Sequence, residues 1–153
     1  MIERCYEWLE ALLSRHGEIT HVRLCTERSW EETDEQLEMI LYFSAGEEVH
    51  PIAAIHLFPL DELTCEVEVE ITFDQMNGGQ RDARMLWQQA QEIVQEVSLT
   101  ERKRFLSPER LAEHELVLDY HFMLSMPQSE EEDERLLQTL QCFAEDVGRL
   151  VQL

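Results

Sequence analysis

The chain reads as an α+β protein, an antiparallel sheet of about five strands with an N-terminal, a central and a C-terminal helix packed on it. Three observations predict this class. Cys65, Val67, Val69, Ile71 and Phe73 alternate with Glu66, Glu68, Glu70 and Thr72, the period of a half-buried strand. Ala83, Leu86, Trp87, Ala90, Ile93, Val94 and Val97 recur at three- and four-residue intervals, the period of a helix. Leu136, Leu140, Phe143, Val147 and Leu150 extend a second such stripe behind Ser129 and Glu132, a capping-box pair that also places acids where the helix dipole favours them.

The remaining elements follow in order. Ile2, Cys5, Leu9, Leu12, Leu13 and His16 predict a helix over 2–16, with Gly17 as a left-handed C-cap. Thr20, Val22 and Leu24 predict a short strand that enters the polar stretch 27–36, a loop or a long hairpin connection. Leu37, Met39, Leu41 and Phe43 form the buried set of a second strand. The run 52–58 is an interior strand bounded by Pro51 and Pro59, which cannot donate to a ladder. Asn77-Gly78-Gly79 is a turn into the central helix. Ser107-Pro108 reads as the N-cap and first-turn proline of a short helical turn reaching His114. Leu116 to Met126 alternates as a long final strand that Pro127 stops. No linker or repeat interrupts 1–153, so one domain is expected.

Charge narrows the function classes. There are 33 acidic against 12 basic residues, a formal charge of -21, so direct nucleic-acid binding is not expected. The one basic run, Arg102-Lys103-Arg104, reads as a solvated turn. No apolar run reaches the roughly 18 residues of a membrane span, and the N-terminus has acids within its apolar stretch and no small-residue cleavage site. Cys5, Cys25, Cys65 and Cys142 contain no CxxC pair. A cytoplasmic protein with free thiols and no membrane partner is the expectation.

Motifs for catalysis are absent: the sequence has no GxSxG, P-loop, GxGxxG or HExxH. The six histidines show no close ligand spacing, so no metal and no cofactor is expected. Asp119 and His121 share one face of the last strand with His56 as a cross-sheet neighbour, the one acid/base pair to weigh; partly exposed polar residues of a sheet face explain the same pattern, and the sheet-face reading is preferred. Glu66, Glu68 and Glu70 form a row about 6 to 7 Å apart along one strand face. Such a row serves as a solvated face that deters aggregation, or as a dock for a basic segment. Tyr6 and Trp8 lie off the main stripe of the first helix and Trp30 lies in a polar loop, so all three are candidate partner anchors.

The order of elements, and the closing stretch LDYHFMLSMP followed by an acidic link and LLQTLQCFAEDVGRLVQL, resembles the class I type III secretion chaperones and related chaperone-like bacterial regulators. The resemblance implies a homodimer that holds an extended segment of a partner protein. The polar stretch 27–36 and the 99–114 region depart from that layout. The expected function is therefore a non-catalytic, acidic protein-binding module with a basic or extended partner segment, and Glu66, Glu68, Glu70, Tyr6, Trp8 and Trp30 as its contacts. The alternative is an inhibitor acting by charge mimicry: an immunity, anti-defence or nucleic-acid-mimic protein.

Overall fold

The computed structural model describes residues 1–47, 50–77 and 80–153. Its elements are α1 (Ile2–Leu13), β1 (Glu18–Arg28), β2 (Glu35–Ser44), β3 (Ala53–Pro59), β4 (Thr64–Asp74), α2 (Ala83–Ile93), β5 (Ser98–Ser107), β6 (Arg110–Ser125) and α3 (Glu130–Leu150). The strands form one antiparallel sheet in the order β1-β2-β3-β4-β6-β5. This is the α+β architecture that the alternation and helix periods predict, with six strands where about five were expected.

One face of the sheet carries the core. Leu41 and Phe43 of β2, Ile55 and Leu57 of β3, Val67, Val69 and Ile71 of β4, and Leu118 and Leu124 of β6 are buried there. Cys5, Leu9, Leu12 and Leu13 of α1, Leu86 and Ala90 of α2, and Leu136, Leu140, Phe143 and Val147 of α3 join the same cluster. Helix spacing brings each apolar stripe round to one side, and its burial removes it from water. No helix among the described residues is long and apolar enough to cross a membrane. All four cysteines are free, with Cys5 and Cys65 buried.

The additional strand is β5, and it overturns the reading of 107–114. Ser107-Pro108 does not start a helix: Ser107 pairs with Arg110 across a two-residue turn at Pro108 and Glu109, and β6 begins at Arg110. Proline's fixed φ suits a turn as well as a helix start. The basic run is likewise no turn. Arg102 and Arg104 lie in β5 opposite Glu115 and Glu113, and ion-pair with them at 3.3 and 2.6 Å. The helix expected through Val97 ends at Ile93, because β5 must start at Ser98 to meet Asp119, and Val97 becomes a buried plug between the two elements. The polar stretch 27–36 is shorter as a loop than expected, since β1 runs to Arg28 and β2 starts at Glu35. Of the Asn77-Gly78-Gly79 turn, Gly78 and Gly79 lie outside the described residues; Asn77 donates to Asp74 at 3.0 Å.

Helix ends follow their local chemistry. Ser129 accepts from the Glu132 N–H at 3.2 Å, which satisfies one orphan donor of α3, while the Glu132 carboxylate reaches back to accept from the N–H of Gln128, just before the cap. Asp82 caps α2 by accepting from Met85 N–H. Between β3 and β4 the Asp61 carboxylate accepts from the Leu63 and Thr64 N–H groups, both at 2.8 Å. Those bonds, the Leu63 one foremost, hold the Asp61 carboxyl below the usual aspartate range. A depressed carboxylate contributes stability above its unfolded pKa, and that contribution disappears as pH falls through the folded value. Asp61→Ala is therefore expected to melt below the wild type near neutral pH, with the gap closing on acidification. A gap that persists in acid would assign the effect to something other than the charged acceptor.

Candidate functional site

The strand alternation that fills the core leaves the other face of the sheet with a mixture of polar and apolar side chains and, among the described residues, no helix over it. The register makes this face a grid. Glu66, Glu68 and Glu70 of β4 stand beside Phe58, His56 and Ala54 of β3 on one side and beside Met123, His121 and Asp119 of β6 on the other. Ile40 of β2 lies opposite His56, and Tyr42 opposite Ala54. The three glutamates are half-buried, consistent with side chains packed shoulder to shoulder on a pleated surface.

His56 lies inside this field, with His121 opposite Glu68 and Arg23 opposite Ile40 as further bases on the same face. His56 Nδ1 lies 2.6 Å from Glu38 Oε1 and its Nε2 lies 3.8 Å from Glu70 Oε2, while its ring stacks on Phe58 with centroids 6.0 Å apart. Nδ1–H donates to Glu38, which fixes the ring's orientation. Glu66 and Glu68 have no ion-pair partner among the described residues. Glu70 is also directly opposite Asp119, a like-charge cross-strand pair that costs about 0.2–1 kcal/mol.

At one end the grid opens into a hollow of about 820 Å³ whose lining includes Asp34, Glu35, Asp61, Glu66 and Glu68. The loop after β1 and the turn after β3 thus add carboxylates to the row. Carboxylates crowded on one surface repel one another, and a cation or guanidinium and ammonium groups would relieve that repulsion.

The sequence-predicted residues divide. Glu66, Glu68 and Glu70 share the open face as expected. Asp119 and His121 also lie on it, but His56 is separated from His121 by Glu68, and neither Asp119 nor His121 has a side-chain hydrogen bond among the described residues. No group of His, Cys, Asp or Glu among the described residues is placed to hold a metal. Tyr6 and Trp8 are half-buried and packed against the core. Trp8 packs in a small cleft with Leu136, Leu137 and Leu140 of α3, under the Arg4 guanidinium at 5.0 Å. Trp30 is 94% exposed in the β1–β2 loop, with Arg28 5.8 Å from its ring. Sequence reasoning missed Glu38 and the loop acids, because only the β2–β3 register and the loop path bring them to the row. Comparison with protein-family models, with curated proteins and with solved structures yields no match.

Proposed function

We propose that this chain is a non-catalytic protein-binding module that holds a partner polypeptide with basic side chains against the uncovered, carboxylate-bearing face of its sheet, in the chaperone-like manner that its order of elements implies. The observation that carries the reading is the convergence of Glu38, Glu66, Glu68, Glu70 and Asp119 on one helix-free face, continued by Asp34, Glu35 and Asp61 at its rim. The arrangement disfavours the free state by like-charge repulsion, and a cationic partner would relieve that cost. The chain's formal charge of -21 draws such a partner from a distance.

The test is replacement of Glu66, Glu68 and Glu70 together by Gln, with a partner captured from the native host. Association at low salt is expected to slow about tenfold and to lose most of its salt dependence, because exposed charges act chiefly on the encounter rate. The triple variant is expected to melt no lower than the wild type. An unchanged on-rate at low salt would leave the row a solvated face only. A captured partner that is a folded nuclease or toxin, and not an extended segment, would replace holding by inhibition.

A further inference from the structure

β6 is longer than the strand that covers its outer side. β5 pairs with β6 only as far as Asp119, whereas β4 follows it to Ser125. From Tyr120 to Ser125, β6 therefore has a partner strand on one side only. Met126 N–H donates to Leu63 O at 2.7 Å on the β4 side. Backbone groups alternate in direction along a strand, so Leu124 and Phe122 also bond towards β4, and His121, Met123 and Ser125 turn N–H and C=O to the open side.

α3 runs beside this open edge. Glu132, Arg135, Thr139, Cys142 and Asp146 line up on it at three- and four-residue steps, one helix face. Two pockets, of about 550 and 500 Å³, share Arg135 and Thr139 and so form one groove along the edge. Val94, Tyr120, Phe122 and Phe143 line its apolar part. The Tyr120 hydroxyl is buried there without a hydrogen-bond partner among the described residues, in a side chain only 9% exposed. Burial, and then the charge of Asp146, push its pKa up, so it stays a donor.

We propose that this groove takes an extended peptide segment of a partner protein as an added strand, pairing with His121, Met123 and Ser125 and seating alternate apolar side chains against Phe122 and Phe143 beside the Tyr120 hydroxyl. The window from Tyr120 to Ser125 spans about 20 Å, room for roughly six residues. The free edge strands β1 and β5 of a second copy, with 11 and 10 residues, would overrun β5 at one end and the Pro127 turn at the other. Side chains of the added strand that point away from α3 would lie past Met123 and His121, whose β4 neighbours are Glu66 and Glu68. The segment is thus apolar on one side and basic on the other. The basic half rests on the acidic-face reading above; the backbone pairing does not.

The probe is the acetylated peptide Lys-Val-Lys-Phe-Lys-Val, followed by amide exchange of the full chain in NMR. At saturation, the amides of His121, Met123 and Ser125 are expected to exchange at least tenfold more slowly. Met123→Pro removes an N–H that faces away from β4, so it is expected to keep the fold and to weaken the peptide at least tenfold. N-methylation of the peptide's edge-facing amides is expected to do the same to the wild type, which keeps the test valid should the proline variant unfold. Absence of binding at millimolar peptide, equal binding of the N-methylated peptide, or edge amides already protected by a second copy in the peptide-free protein would overturn the proposal. The triple Gln variant separates the two readings: it should slow association yet preserve edge protection at saturation. Salt-dependent binding without edge protection would sink strand addition alone.

Discussion

Gly17→Ala is expected to lose about 3 kcal/mol of stability, the upper end of what an inserted methyl costs in a packed site. At this position a Cβ would fall inside contact distance of the Ser44 carbonyl oxygen and 2.6 Å from the Phe43 ring. Neither neighbour can yield cheaply. Ser44 pairs with Glu18 at the start of β1, and Phe43 is fully buried. Moving the carbonyl would break the first rung of the β1–β2 ladder; moving the ring would open the core beneath α1. For a chain of this size such a loss lowers the melting point by very roughly 6–12 °C. Gly46 is the control. It has a φ of 95° and nothing within 4 Å of an added Cβ, so Gly46→Ala carries only the conformational penalty of about 1–2 kcal/mol. A Gly17→Ala protein that melts with the wild type would show that β2 does not pass so close to the end of α1.

Gly17 also marks what the sequence could and could not disclose. A glycine after an apolar helical stripe announces that the helix ends, and α1 does end nearby, at Leu13. The expected left-handed cap is absent, since Gly46 is the one residue with positive φ among the described residues. Gly17 is needed for the approach of a neighbouring strand, a tertiary demand that spacing along the chain does not carry. The same distinction separates β4 from β5. β4 is buried on one face and half-covered on the other, so its composition alternates and its ends were legible to within a residue. β5 is exposed at nearly every position. Nothing selects an apolar period there, and the strand is held by backbone pairing with β6 and by ion pairs whose partners are nine and more residues away. Pro108 then pointed to the wrong element, because the same φ serves both a turn and a helix start.

The candidate site was legible in one dimension. Glu66, Glu68 and Glu70 follow from strand period alone. The rest of the field, Glu38 against His56 and Asp119 opposite Glu70, depends on which strands are neighbours and in what register. The setting of Trp8 likewise depends on tertiary packing: it is off the main stripe of α1, and α3 packs beside α1 and half-covers it. The free edge of β6 had no sequence signal at all, since it is a difference in length between two strands, one of which is not apparent from its residues.

The division of the sheet into a covered and an open face is the premise of the proposed function, and adjacent residues of β4 test it. Val69 is fully buried between Ile55 and Tyr120. Val69→Asp would place a carboxyl there with no donor positioned for it, and burying such a group unpaired is expected to cost more than about 4 kcal/mol, enough to unfold a chain of ordinary stability at room temperature or close to it. Glu68, one residue earlier, has its side chain on the opposite face, between His56 and His121. Glu68→Gln keeps the shape and removes one charge from a crowded row, so its stability is expected to stay within about 0.5 kcal/mol of the wild type. Urea melts of the two variants decide the matter. If Glu68→Gln unfolded and Val69→Asp did not, the helices would lie over the carboxylates. A binding surface there would then be impossible without opening the core. With the expected order, the carboxylate face can be altered residue by residue at little cost to the fold, so that losses of partner binding on that face can be assigned to recognition and not to unfolding.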